Sequence, residues 1–101
     1  MHPLIENKPA VLLYFYNDNC QPCVALRPKV AEFLTSQFPL IEGVFINAST
    51  EPELTASYGV FASPTLIILF EGKEFRRYSK YISLSSLSEE LSRPYSLMFE
   101  D

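Results

Sequence analysis

The chain has 101 residues, 48% of them hydrophobic and 20% charged, with 8 phenylalanines and 6 tyrosines. That is enough apolar surface for one core of ordinary domain size, and it excludes both a second independent domain and wholesale disorder. A formal net charge of -4 denies the chain the positive field that phosphate backbones demand, so nucleic acid is not an expected partner.

The longest apolar run, Thr65 to Phe70, is a strand's length and falls far short of the roughly 20 residues that cross a bilayer. No membrane partner is expected. The N-terminal stretch Met1 to Pro9 has no basic segment, no long apolar run and no small-residue cleavage site, which points to the cytoplasm.

In chain order, Val11 to Tyr16 is a continuous β-branched, aliphatic and aromatic run between Pro9 and the polar Asn17-Asp18-Asn19. It predicts a strand buried on both faces. Beyond Cys23, Leu26, Val30, Phe33 and Leu34 recur on one helical stripe, predicting an amphipathic helix that ends before Pro39 and is kinked by Pro28. Gly43 to Asn47 predicts a short strand. Thr50-Glu51-Pro52-Glu53 then carries a capping-box pattern, with Thr50 as N-cap of a short helix that runs to about Tyr58 and stops at Gly59.

Thr65 to Phe70 and Glu74 to Tyr78, joined by Glu71-Gly72-Lys73, predict an antiparallel hairpin. Leu84, Leu87 and Leu91 predict a last helix, begun near Ser83 or Ser86 and closed by Pro94. This order predicts one α/β domain over residues 1–101, a sandwich around a mixed sheet of about four strands. The aromatic segment Pro94 to Asp101 is expected to fold back over apolar surface rather than to drive self-association, which makes a monomer the expected state.

Cys20-Gln21-Pro22-Cys23 falls where the buried strand ends and the helix begins. Unpaired amides and the positive dipole end of a helix N-terminus stabilise a thiolate, so Cys20 is the candidate nucleophile. One helical turn brings Cys23 within disulfide reach, as the thiol that resolves a mixed disulfide. Pro22 has its φ preset for a first helical turn and limits rearrangement between dithiol and disulfide forms. Two small buried hydrophobes, or a structural disulfide, are the plainer readings of such a pair. A zinc site needs about two further ligands, and His2 is the single histidine, so neither metal nor organic cofactor is expected.

From roughly Asn7 to Arg93 the chain resembles the thioredoxin family. The resemblance rests on the strand-CQPC-helix unit, Pro28 five residues past Cys23, Tyr58-Gly59, Ser63-Pro64-Thr65 opening a strand, and the turn at Gly72. It implies a three-layer thioredoxin-like sandwich with a truncated N-terminal strand, since few residues precede Val11. It also implies a cis proline at Pro64 packed beside the cysteines, substrate held by the backbone at Ser63, and a substrate surface completed by Asn19, Gln21 and Pro22. The implied activity is thiol-disulfide exchange on disulfide-containing proteins or small molecules, with an upstream disulfide reductase as partner.

The sequence departs from the family pattern in several places. Asn19 stands where the family has Trp, Tyr14 where it has a buried Asp, Phe45 where it has that Asp's lysine partner, and Gln21 where it has Gly. Asp18 precedes Cys20, and the first cation after Cys23 is Arg27. The helix end is then the main support of the Cys20 thiolate, and proton transfer at Cys23 must use water or another group. Tyr14 and Tyr16 read as packing residues, and Arg76, Arg77 and Lys80 as a solvated cationic patch. An alternative from another class is a redox-sensing or non-catalytic binding module on the same scaffold.

Overall fold

The computed structural model describes residues 8–99. Residues 1–7, on which the expected truncation of the N-terminal strand rests and which include His2, lie outside them. The elements are β1 (Ala10–Tyr16), α1 (Gln21–Gln37), β2 (Glu42–Asn47), α2 (Pro52–Ser57), β3 (Thr65–Phe70), β4 (Lys73–Ser79) and α3 (Leu84–Phe99). The described strands form one sheet in the order β2-β1-β3-β4. β1 runs parallel to β2, with Tyr14 opposite Phe45, and antiparallel to β3, with Tyr14 opposite Leu66. β3 and β4 pair antiparallel as the hairpin pattern requires, with an irregularity between Ile68 and Leu69.

The strict alternation of a strand's side chains divides β1 between two cores. Ala10, Leu12 and Tyr14 pack with Val30, Phe33 and Leu34 of α1 and Leu87, Leu91 and Tyr95 of α3. Val11, Leu13 and Phe15 pack with Val44, Ile46, Ile67 and Leu69, and are covered by Leu54 and Tyr58 at α2. The result is three layers, two helices on one face of the sheet and a short one on the other. This burial on both sides is why β1 carries no polar residue before Asn17 apart from the hydroxyls of Tyr14 and Tyr16.

Three expectations are corrected. Thr50 does not cap α2: its Oγ1 donates to the Asn47 carbonyl at 3.2 Å, and the N-cap is Glu51, which makes no side-chain cap bond. The Asn47 carbonyl also accepts the N–H groups of Thr50 and Glu51, so the preceding turn engages Thr50 before the helix can. Secondly, α3 runs through Pro94 to Phe99. A proline costs a helix interior about 3 kcal/mol, but here the carbonyl it leaves unpaired is that of exposed Glu90. Beyond it Tyr95 is buried against Phe38 and Phe99, with ring centroids 5.0 and 4.9 Å away, and its hydroxyl accepts the Leu40 N–H at 3.1 Å. Burying large side chains at about 1.5–3 kcal/mol each offsets the proline. The C-terminal segment thus covers the core as a continued helix rather than as a tail folded back.

The third correction concerns the cationic patch. Arg77 binds Glu74 through two nitrogens at 3.0 and 2.8 Å and donates to the carbonyls of Tyr58 and Gly59 beyond α2 at 2.7 and 3.2 Å. Arg76 lies over the Phe75 ring and 3.9 Å from Glu90. Lys80 is exposed and forms no ion pair among the described residues.

Candidate active site

β1 delivers the chain into the site through Asn17-Asp18-Asn19. Asn17 Oδ1 accepts the Asn19 N–H at 3.0 Å and its carbonyl accepts the Cys20 N–H at 3.2 Å, closing a tight turn that aims Cys20 at the start of α1. Asparagine favours such side-chain-closed turns. Cys20 is the N-cap in extended conformation, with φ -97° and ψ 102°, and Pro22 occupies the first helical turn.

Cys20 and Cys23 are joined as a disulfide, with Cα atoms 5.2 Å apart. The two sulfurs are not equivalent. Cys23 is fully buried, whereas Cys20 is half-buried. Cys20 Sγ accepts the Cys23 N–H at 3.3 Å, so a backbone donor at the positive end of α1 points at the sulfur that solvent can reach. No acidic residue lies in the first turn of α1, and the carboxylate of Asp18 accepts from Asn47 Nδ2 at 3.2 Å. Nothing in that turn opposes a thiolate electrostatically.

The loop before β3 closes the site from the opposite side. The Ser63-Pro64 peptide bond is cis and Pro64 is buried. The Ser63 carbonyl lies 3.9 Å from Cys20 Sγ. Asn17 Nδ2 reaches Ser63 Oγ at 3.4 Å across 46 residues of chain. Asn17 therefore ties the two halves of the site together, a role the Asn-Asp-Asn turn signal hints at but cannot assign, because its partner is remote in sequence. Asn19, Gln21 and Pro22 are exposed around the cysteines.

The hydroxyl of Tyr14, a residue whose sequence context assigns it only to packing, belongs to the site. It is fully buried and donates to the Cys23 carbonyl at 2.7 Å. Burial pushes its pKa up to about 12, against a smaller opposing pull from Arg27. Its ring stacks on Tyr16 at 6.2 Å, and the Arg27 guanidinium sits 4.9 Å from the Tyr16 centroid. A phenol that holds its proton so firmly is a donor, not a base, near neutral pH; it braces the turn that carries Cys23.

A model of the thioredoxin family matches residues 2–93. The chain belongs to the thioredoxin family. It is 31% identical over 85 residues to the thioredoxin-like protein YdfQ of Bacillus subtilis, covering 84% of this chain and 75% of that one. Among solved structures, thioredoxin 1 of Thermosipho africanus superposes with a TM-score of 0.79 at 30% identity, covering 87% of this chain and 97% of its own. Fasciola hepatica thioredoxin gives 0.76 at 30% identity, covering 87% and 84%. The mixed four-stranded sheet and flanking helices are the thioredoxin fold, and with a paired CxxC at the tip of α1 the protein is a thiol-disulfide oxidoreductase. In this thioredoxin-family site the strand-to-helix junction supplies both sulfurs, and the loop before β3 supplies the surface facing them.

Proposed function

We propose that the protein works as a reductant of protein or small-molecule disulfides, with Cys20 as nucleophile and Cys23 as resolving thiol. The observation that carries this reading is the asymmetry of the pair, a reachable Cys20 sulfur facing a helix-end N–H and a Cys23 sulfur sealed from solvent. The Cys20 thiolate attacks one sulfur of the substrate disulfide, forming a mixed disulfide and expelling one substrate thiolate. Cys23, deprotonated, then attacks Cys20 Sγ; the intramolecular disulfide forms and the second substrate thiolate leaves. Two electrons pass from the pair to the substrate, and an upstream disulfide reductase restores them.

Ser63 and Pro64 take the substrate segment on one side, and Asn19, Gln21 and Pro22 on the other. The cis bond at Pro64 and the 3.9 Å approach of the Ser63 carbonyl to Cys20 Sγ support that assignment. We read the protein as a single-domain cytoplasmic monomer. No helix of the described residues is long and apolar enough to cross a membrane.

Replacing Cys23 with Ser should arrest the cycle at the mixed disulfide and accumulate covalent adducts on Cys20, visible on non-reducing gels and released by dithiol. Cys20→Ser should abolish turnover of a model disulfide. Unaltered turnover in Cys20→Ser would remove the proposal, and slow turnover by the intact pair despite reversible oxidation would favour a redox sensor instead.

A further inference from the structure

Lys80 follows the last residue of β4 and has φ +69°, the left-handed conformation that glycine adopts freely and a side chain does not. Two hydrogen bonds impose it. The Lys80 N–H donates to the Pro64 carbonyl and the Tyr81 N–H to the Ser79 carbonyl, each at 2.8 Å. The first of these fastens the end of β4 directly to the cis-proline loop, so whatever side chain stands at this position is held beside the loop whose Ser63 carbonyl faces Cys20.

The display borders a groove of about 380 Å³, lined by Pro22 of the cysteine motif, Leu26, Pro64 and Ile82, together with Lys80 and Tyr81. Its floor is apolar. Lys80 brings it the single charged side chain among the described lining residues, and among the described residues that ammonium forms no ion pair, whereas Arg76 and Arg77 both do. The Tyr81 ring, at 92% exposure, stands almost wholly in solvent. In a chain of net charge -4, which at long range repels acidic partners, an uncommitted cation at the mouth of an apolar groove is a local exception.

We propose that Lys80 and Tyr81 set substrate preference, selecting disulfides in peptide segments that carry a carboxylate, Asp or Glu, within about two residues of the attacked cysteine. This rests on the reading of the site as a disulfide reductase. A segment laid over Pro22 and Pro64 brings such a carboxylate to the Lys80 ammonium, while its apolar neighbour covers the groove floor and the Tyr81 ring. The gain is that of an exposed ion pair, so the expected preference is modest, about fivefold at low ionic strength, and it fades with salt.

The test uses three fluorogenic peptide disulfides that differ only in having Glu, Gln or Lys two residues from the cysteine. They are assayed for kcat/KM with the full-length protein at low and high salt. Expected is the order Glu, Gln, Lys, with about fivefold between the extremes, compressed at high salt. Lys80→Gln should level the Glu and Gln peptides, Lys80→Glu should invert the order, and Lys80→Arg should keep it. Lys73→Gln, an equal change of net charge at the exposed β3-β4 turn, where Lys73 lies opposite Phe70 and Phe70 opposite Ala10 at the end of β1 remote from the cysteines, should leave the order as it is. Equal rates on all three peptides, or an order that survives in Lys80→Gln, would overturn the Lys80 assignment alone. Failure to turn over even the Gln peptide would overturn the reductase reading beneath it.

Discussion

Replacing Tyr14 with Phe removes one oxygen from a fully buried site and leaves the ring that packs against Tyr16 and Phe45. At neutral pH the loss is one buried hydrogen bond to the Cys23 carbonyl, a destabilisation of about 1 kcal/mol. The pH dependence carries more information. Burial raises the Tyr14 pKa from 10.0 to about 12, so between those values the unfolded chain gives up a proton that the folded one keeps. Fewer protons are bound in the unfolded state, and stability therefore falls as pH rises.

The contribution is intact below pH 10 and is lost progressively up to about pH 12, where the loss amounts to about 2–3 kcal/mol. The variant has no such group, and all other titrations cancel in the comparison. Urea denaturation of the oxidised proteins from pH 7 to 11.5 should show Tyr14→Phe about 1 kcal/mol less stable at pH 7, with the two curves crossing between about pH 10 and 11 and the variant about 1 kcal/mol the more stable at pH 11.5. Parallel curves throughout would refute the account, because they would mean that the hydroxyl ionises as easily in the folded protein as in the unfolded chain.

Three further substitutions probe the packing. Tyr95→Ala should cost about 3–5 kcal/mol in denaturant unfolding, since it empties the contact between Phe38 and Phe99 and frees the Leu40 N–H; a loss below 1 kcal/mol would mean that the helix beyond Pro94 does not hold the core. Lys80→Gly should leave stability unchanged or raise it by up to about 1 kcal/mol, relief of the left-handed backbone offsetting the greater entropy of the unfolded chain, and a clear loss would contradict the φ of +69°. The Tyr78 hydroxyl is buried without a hydrogen-bond partner among the described residues, so Tyr78→Phe should stabilise by about 1 kcal/mol in the same assay; destabilisation would show that the oxygen has a partner.

Local chemistry in the chain determined the elements, because each is encoded over a few neighbouring residues. The apolar run at Val11 to Tyr16 could only be a strand covered on both sides, the stripe from Leu26 to Leu34 only a helix with one buried face, and Cys20-Gln21-Pro22-Cys23 at their junction only a pair of sulfurs at a helix tip. From these the α/β order, the hairpin and the thiol chemistry follow. Contacts between distant residues decided the rest. The bond from Tyr14 to Cys23 depends on how far α1 sits above the sheet, the bridge from Asn17 to Ser63 on a loop 46 residues away, and the left-handed backbone of Lys80 on a carbonyl at Pro64. Pro94 shows the same division from the other side. Its local preference is to end a helix, and only the core waiting for Tyr95 outweighs it, since burial is a property of the assembled layers and no stretch of sequence carries it alone.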